Sequence, residues 1–521
     1  MKKISLILLT VIFFTAVFTS CKNSLSGKIT VADGKEPFTL NQDMVSRLAA
    51  LAVTGNCTLD EQQVKDNVLS ALSALSENGN ERAAVTVKDI SLSAPKVATL
   101  KAPASFGKTE RSANIQDFDE INLYLYTTNE GKDNEGWILA SNDLRVGTII
   151  AVVDGKYSED YEEENPFMDI IKTGLEEHIL ETVYTWNSLT EEDIRAASPN
   201  EKYATAGNYY FDNWKMYDVK RLELFRYAWN QEYPFNSAIT AMKKNNKYVA
   251  GCVPLVLAQI FSYHEWPSEC SNKQYNELIN NWSPARNWNG VYDWYLIQDG
   301  FSEYIDDGVK CVSYYEDYRV LKMRDFELNV SALLYDIGAN CNAKYGTKED
   351  RNGKLIGSTS VDDSLLKSCF RHYEYLADDI QSFSYNGAKE SIQLDHPVYV
   401  RGSSGFSGHA WLVSGYADLS CDVYKINSDG INRTYLTRIR DGFVYCNVGW
   451  DKSSYNGYYL AGVFDFREGH VCVDHETLLS AEKDWYMDWK SSHSDRAASG
   501  DINLYYQHDV LMITNIRPIY E

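Results

Sequence analysis

One stretch, YVAGCVPLVLAQIFSYHEWP from Tyr248 to Pro267, limits the fold more than any other. Its residues Val253, Leu255, Val256, Leu257, Ile260 and Phe261 put apolar groups on most faces of a helix, in a chain that is otherwise polar and acidic. A helix that is apolar all round is stable only when other elements surround it, so this one is predicted to be central. Pro254 marks its first turn, because proline is tolerated there and breaks a helix interior. Cys252 then stands at the positive end of the helix, directly after Gly251. The unpaired amides and the macrodipole of a first turn lower a thiol's pKa and favour its nucleophilic form. A small buried cysteine starting a core helix is the plainer reading of the same residues, and this segment alone does not separate the two.

The chain has 521 residues, enough for about two to four domains at about 150 residues each. A formal net charge of -23, with no long lysine or arginine run, argues against nucleic acid as a partner. The 37 tyrosines and 12 tryptophans suit a folded, not a disordered, chain. At the N-terminus, Lys2 and Lys3 precede the apolar run ISLILLTVIFFTAVF and then Thr19, Ser20 and Cys21. This is a signal-peptide pattern. Small residues before a cysteine resemble a bacterial lipoprotein signal, so residues 1–20 are expected to be removed and Cys21 to be lipidated. Phe18 departs from the usual aliphatic residue there, and an ordinary secretory signal is the alternative. Either way export is expected, to the cell envelope (outer membrane or cell surface) through a lipid anchor, or to the medium after processing. Ten cysteines are scattered with no CxxC pair, which leaves one or two bridges in the second half open and assigns none.

After a Ser/Lys/Gly-rich tether at residues 21–37, NQDMVSRLAALAV and LDEQQVKDNVLSALSAL carry helical spacing to about Leu75. INLYLYTT, GWILASN and VGTIIAVVDG read as strands, and a helix is predicted from about Phe167 to Trp186. These form a compact α+β unit, with a connector expected around Glu191 to Asn208. The second part starts helical and becomes strand-rich. HPVYVRGSSGFSGHAWLVSGY, His396 to Tyr416, reads as two strands joined by a Ser/Gly loop, with His409 opening the second strand. GFVYCNVGWDKSSYNGYYLAGVF reads as a strand ending at Asn447 and Gly449, followed by a hairpin.

Cys252 alone and His409 alone are weak signals. Together with an asparagine-bearing strand end they suit cysteine-nucleophile chemistry. A histidine takes the thiol proton and later protonates the leaving amine, and an asparagine side chain can orient the imidazole. A metal site from Cys446, His470, Cys472 and His475 lacks finger-like spacing, and neither metal nor cofactor is expected.

AGCVPLVLAQIFSYHEWP resembles the nucleophile segment of the streptopain family of papain-like cysteine peptidases. The resemblance continues, in the family's order, through WNQEYPFN, VYDW, LLYDIGANCNAKYG, HPVYVRGSSGFSGHAWLVSGY, CNVGWDKSSYNGYYL and a closing VLMITNIRP. Upstream, NEGWILASNDLRVGTIIAVVDGKY resembles the family's pro-segment. The resemblance implies an α+β fold: a pro-domain at residues 38–205, then a papain-like catalytic domain at 206–521 with a helical half and an antiparallel sheet half. It implies Cys252 as nucleophile, His409 as base and acid, Gln231 as oxyanion-hole donor, Asn447 beside the histidine and Trp450 as a shield of the site. It also implies protein or peptide substrates, and an intramolecular pro-domain that keeps the precursor inactive. Val448 and Asp451 depart from the family's Trp and Gly. Two other functions stay open: a catalytically silent binding lipoprotein on the same fold, and a Cys/His amidase acting on cell-wall peptides.

Overall fold

The computed structural model describes residues 30–31, 40–77, 91–157, 165–197, 209–271, 288–299, 318–349, 355–465, 471–472 and 508–520, apart from 56, 102–107, 119, 133, 225–228, 405–407 and 450–454. The signal segment, Cys21 and Trp450 lie outside these residues. The first part holds helices α1 (Gln42–Ala52) and α2 (Glu61–Glu77), then strands β1 (Lys96–Lys101), β2 (Glu120–Thr128), β3 (Gly136–Ser141) and β4 (Ile149–Asp154). Helices α3 (Pro166–Ser188) and α4 (Glu191–Ala197) follow. The predicted Phe167–Trp186 helix is therefore present. Its start is set by Asn165, whose side chain caps the Phe167 amide, and by Pro166 in the first turn.

The second part begins with β5 (Tyr209–Phe211) and β6 (Lys215–Arg221), then α5 (Ser237–Lys243), α6 (Cys252–His264), α7 (Trp294–Asp299) and α8 (Tyr318–Asn340). A hairpin of β7 (Lys344–Glu349) and β8 (Leu355–Ser360) leads to α9 (Leu366–His372), β9 (Tyr375–Leu376), β10 (Gln381–Ser382) and α10 (Tyr385–Gln393). The long strands β11 (Val398–Ser404), β12 (Gly408–Ile426) and β13 (Arg433–Asn447) follow, then β14 (Gly457–Leu460), β15 (His508–Ile513) and β16 (Arg517–Pro518). The fold is α+β, with helices beside a large antiparallel sheet.

That sheet crosses the expected boundary. Its order is β10-β15-β11-β12-β13-β14-β4-β3-β2-β1, with β5 and β6 also paired to β12. The joint is the β14–β4 ladder, where Gly457 faces Val153 and Tyr459 faces Ala151. Gly457 is needed there, since a Cβ would come within 2.3 Å of the Val152 carbonyl. Arg47 of α1 adds a buried tie: it donates to Asp441 Oδ1 (2.9 Å) on β13 and to the carbonyls of Leu144 and Arg145. The first part is thus not a self-contained unit in the full-length chain. The connector expected at Glu191–Asn208 also begins as structure, because α4 packs on α1 and buries Ile194.

Helix α6 is buried along its length, from Val253 to Ser262, as its all-round apolar sequence requires. Beside it, α8 carries Asp336, fully buried. Its carboxylate accepts from the Ser271 amide and hydroxyl, Asn340 Nδ2, and the Tyr292 and Tyr373 hydroxyls, at 2.9–3.3 Å. Asp336→Ala leaves these buried donors without their acceptor and is expected to cost about 3 kcal/mol of unfolding free energy. Asp336→Asn, which keeps one acceptor oxygen, should cost less. Equilibrium denaturant unfolding checks this, and equal stability of the alanine variant and wild type would contradict it.

Candidate active site

The start of α6 is fixed by Gly251. Its φ of +94° suits glycine, and a Cβ would sit 2.6 Å from Thr359 Cγ2 on β8. Thr359 in turn donates to the Val249 carbonyl at 2.8 Å. Cys252 therefore opens the helix with a rigid neighbour on one side. The half-buried side chain sits in dry surroundings, and burial raises its thiol pKa. The backbone amides of Ala410, Val253 and Cys252 itself pull it down, and Asp363 pushes it up again. The net direction is upward, so the thiol rests in its neutral form. The helix-start amides are nonetheless aimed at the sulfur and would favour a thiolate once the site is hydrated.

Gln231 lies on the loop strapped to the residues before Cys252. Its carbonyl accepts from the Ala250 amide at 2.8 Å, and Asn236 Nδ2 donates to the Tyr248 carbonyl at 2.8 Å. Trp229 and Phe235, both buried, pack ring to ring beneath this loop. The strap brings two segments that are about twenty residues apart in sequence to the same helix end.

His409 stands second in β12, with its backbone opposite Gly402 of β11. Its ring is buried and lies parallel to Trp411, two residues along the same strand face, with the Phe167 edge directed at it from α3. Nε2 meets the Val448 carbonyl at 2.7 Å, so this nitrogen carries the proton and donates. Burial lowers the imidazole pKa to about 4, with the Val448 carbonyl opposing that fall. At neutral pH the ring is uncharged.

Asn447 is also buried, but its described hydrogen bond runs from Nδ2 to Ser414 Oγ at 2.7 Å. It pairs across the sheet with Leu412, whereas His409 shares the face of Trp411, so strand alternation places the two side chains on opposite faces. The imidazole Nε2 donates to the backbone carbonyl of Val448, the next residue. The Val448 amide is itself anchored on Asn456 Oδ1 at 2.8 Å. Because Val448 acts through its main chain, replacement of the family's Trp there leaves this contact available. Among the described residues, Phe167 and Trp411 place aromatic rings against His409. Trp411 was legible as the i+2 neighbour on a strand. Phe167, 242 positions earlier, carried no local signal. Asp363, joined to Arg401 Nε at 2.7 Å, is a further charged group near Cys252 that sequence reasoning missed.

Residues 229–459 match the model of the Peptidase C10 family. This segment is similar to the peptidase C10 family, that of streptopain. The C10 segment contains Gln231, Cys252, His409 and Asn447. A similar protein is the "Thiol protease/hemagglutinin PrtT" of Porphyromonas gingivalis, 23% identical over 243 residues, which are 44% of this chain and 23% of that relative. The chain thus spans about a quarter of that relative's length. Both findings support a cysteine peptidase.

Proposed function

We propose that the chain is the precursor of a secreted cysteine endopeptidase with a papain-like arrangement of helical and sheet halves. The observation that carries this reading is the position of Cys252 at the start of α6, with the amides of Ala410, Val253 and Cys252 directed at its sulfur, inside a C10-family segment. In the reaction, the Cys252 thiolate adds to the scissile carbonyl. The C–N bond breaks as His409 protonates the leaving amine, and water then hydrolyses the thioester. Nε2 of His409 donates to the Val448 carbonyl, and Nδ1 exchanges a proton with the thiol in the proposed reaction. The oxyanion is stabilised by the Cys252 amide and the Gln231 side chain. Gln231→Ala is expected to lower kcat by about 10²-fold with little change in KM. Steady-state kinetics on a peptide substrate tests this, and an effect on KM alone would reassign Gln231 to substrate binding.

Residues 38–205 are read as the pro-domain. What supports this is the cover they place on the histidine: Phe167 of α3 packs on His409, and Ile170 lies against Gly402, where a Cβ would meet its side-chain carbons at 3.2 Å. The burial they add at His409 favours the neutral imidazole over the imidazolium of a thiolate–imidazolium pair. Removal or displacement of α3 would hydrate the imidazole and raise its pKa towards the ordinary value of about 6.5.

At the N-terminus, Cys21 is read as the lipidated residue of an envelope protein. Wild type should then partition into a detergent phase, and Cys21→Ala should fail to do so. A mature protein that is soluble and begins at any other residue would contradict the anchor.

A further inference from the structure

Cys57, Cys252, Cys270, Cys341, Cys369, Cys421 and Cys446 are thiols, and two of them are neighbours. Cys341 follows the last turn of α8, with its amide on the Ile337 carbonyl at 2.8 Å. Cys369 lies in the middle of α9. Both are buried, at 0% and 1% exposure, and the Cys341 thiol is close enough to Cys369 to raise its pKa well above the ordinary thiol value. A second set of contacts fixes the same juxtaposition. Asn340, the residue before Cys341, donates from Nδ2 to the Tyr373 hydroxyl at 2.7 Å, and Tyr373 is four residues after Cys369, one helical turn on. The Tyr373 hydroxyl also donates to Asp336 on α8. Polar contacts thus hold the end of α8, with Cys341, against α9, with Cys369. The other cysteines have different neighbours: Cys57 meets the Leu51 carbonyl, Cys421 the Asp212 carbonyl, Cys270 Tyr292, and Cys446 Trp411.

We propose that Cys341 and Cys369 form a disulfide when the chain folds in an oxidising compartment, covalently joining the end of α8 to α9. Two neighbouring buried thiols on elements already tied by hydrogen bonds need only a local shift to reach bonding geometry. The reaction is thiol–disulfide exchange with a small-molecule or protein disulfide. One thiolate attacks that disulfide and releases a thiol, and the second thiolate attacks the mixed disulfide and releases the other. Two protein thiols lose their protons and together two electrons, and the oxidant leaves as two thiols. Because the folded pair is buried, the bond forms during folding and resists reductant afterwards.

The bridge closes the segment that walls the candidate site. Between the two cysteines lie Thr359, which packs against Gly251, and Asp363, which pairs with Arg401 and acts on the Cys252 thiol. The proposal does not depend on Cys252 being a nucleophile.

The test uses full-length wild type refolded in a mixture of oxidised and reduced glutathione. Thiols are capped with iodoacetamide in denaturant, then the protein is reduced and treated with N-ethylmaleimide before peptide mapping. Cys341 and Cys369 should carry the second label in more than half of the molecules. Without reduction, their peptides should appear joined and lighter by two hydrogens. The Cys341→Ser/Cys369→Ser chain should melt on the order of 5 °C below oxidised wild type and level with reduced wild type. Iodoacetamide label on either cysteine in half of the molecules or more, or a bridge from either to Cys270, would overturn the proposal. The mapping needs no variant, so its outcome stands even where the double substitution impairs folding.

Discussion

Cys252→Ala should reduce hydrolysis of casein by at least about 10³-fold, with residual turnover reflecting only binding and oxyanion donors. Serine, a weaker nucleophile at this helix start, should restore little. Stability should change far less, because Cys252 is half-buried and alanine suits a first helical turn. The measurement pairs a protease assay with thermal unfolding of the same preparations. Retained activity in a folded Cys252→Ala protein would remove the proposed mechanism. A variant that unfolds instead would show Cys252 to be a packing residue, the plainer reading of the sequence.

His409→Ala, made in the processed enzyme, should cost about 10³-fold in kcat, since the leaving amine loses its proton donor and the thiolate its counter-ion. A structural role alone predicts something different. Loss of a buried ring that packs on Phe167 and Trp411 would lower stability and leave the pH profile of the remaining activity unchanged. The catalytic role predicts that the inflection attributable to an imidazole disappears from the profile. Added imidazole should recover part of the rate in the alanine variant. A profile that keeps its inflection would assign the acid–base work elsewhere.

Much of this site was legible in the sequence. Gly251, Cys252 and Pro254 define a helix start through local rules alone, and the apolar run behind them demands burial. His409 lies at the second position of its strand because the Ser/Gly loop before it could only be a connection. The helix expected at Phe167–Trp186 is present with one further residue at its start and two at its end. What escaped was decided by contacts between distant segments. The sheet that joins β14 to β4 depends on Gly457 and Val153, some three hundred residues apart, and neither position announces its partner. The carbonyl of Val448 holds His409, yet a backbone contact leaves no mark in side-chain identity. Side-chain identity points to Asn447 and to the missing Trp at 448 for that reason. The helix Glu191–Ala197 was hidden by a short acidic start that reads equally well as a connector.

The same long-range packing bears on the latency proposed for the full-length chain. In the full-length chain burial moves the imidazole down to about 4 and the thiol up, so the two move apart from the ion pair that catalysis needs. A thiol whose pKa is raised holds little thiolate near neutral pH and gains it only as pH rises. An imidazole whose pKa is depressed stays neutral through the range where histidine ordinarily titrates. The most direct measurement is therefore the rate of Cys252 alkylation by iodoacetamide from about pH 5 to 9, with the modified residue identified by mass spectrometry, in the uncut chain and again after the chain is cut near residue 205. The uncut chain should react slowly, with a rate that climbs towards alkaline pH and shows no inflection between about pH 5 and 7, and the cut enzyme should react at least about 10²-fold faster at pH 7 with an imidazole inflection. Superimposable profiles before and after the cut would contradict it.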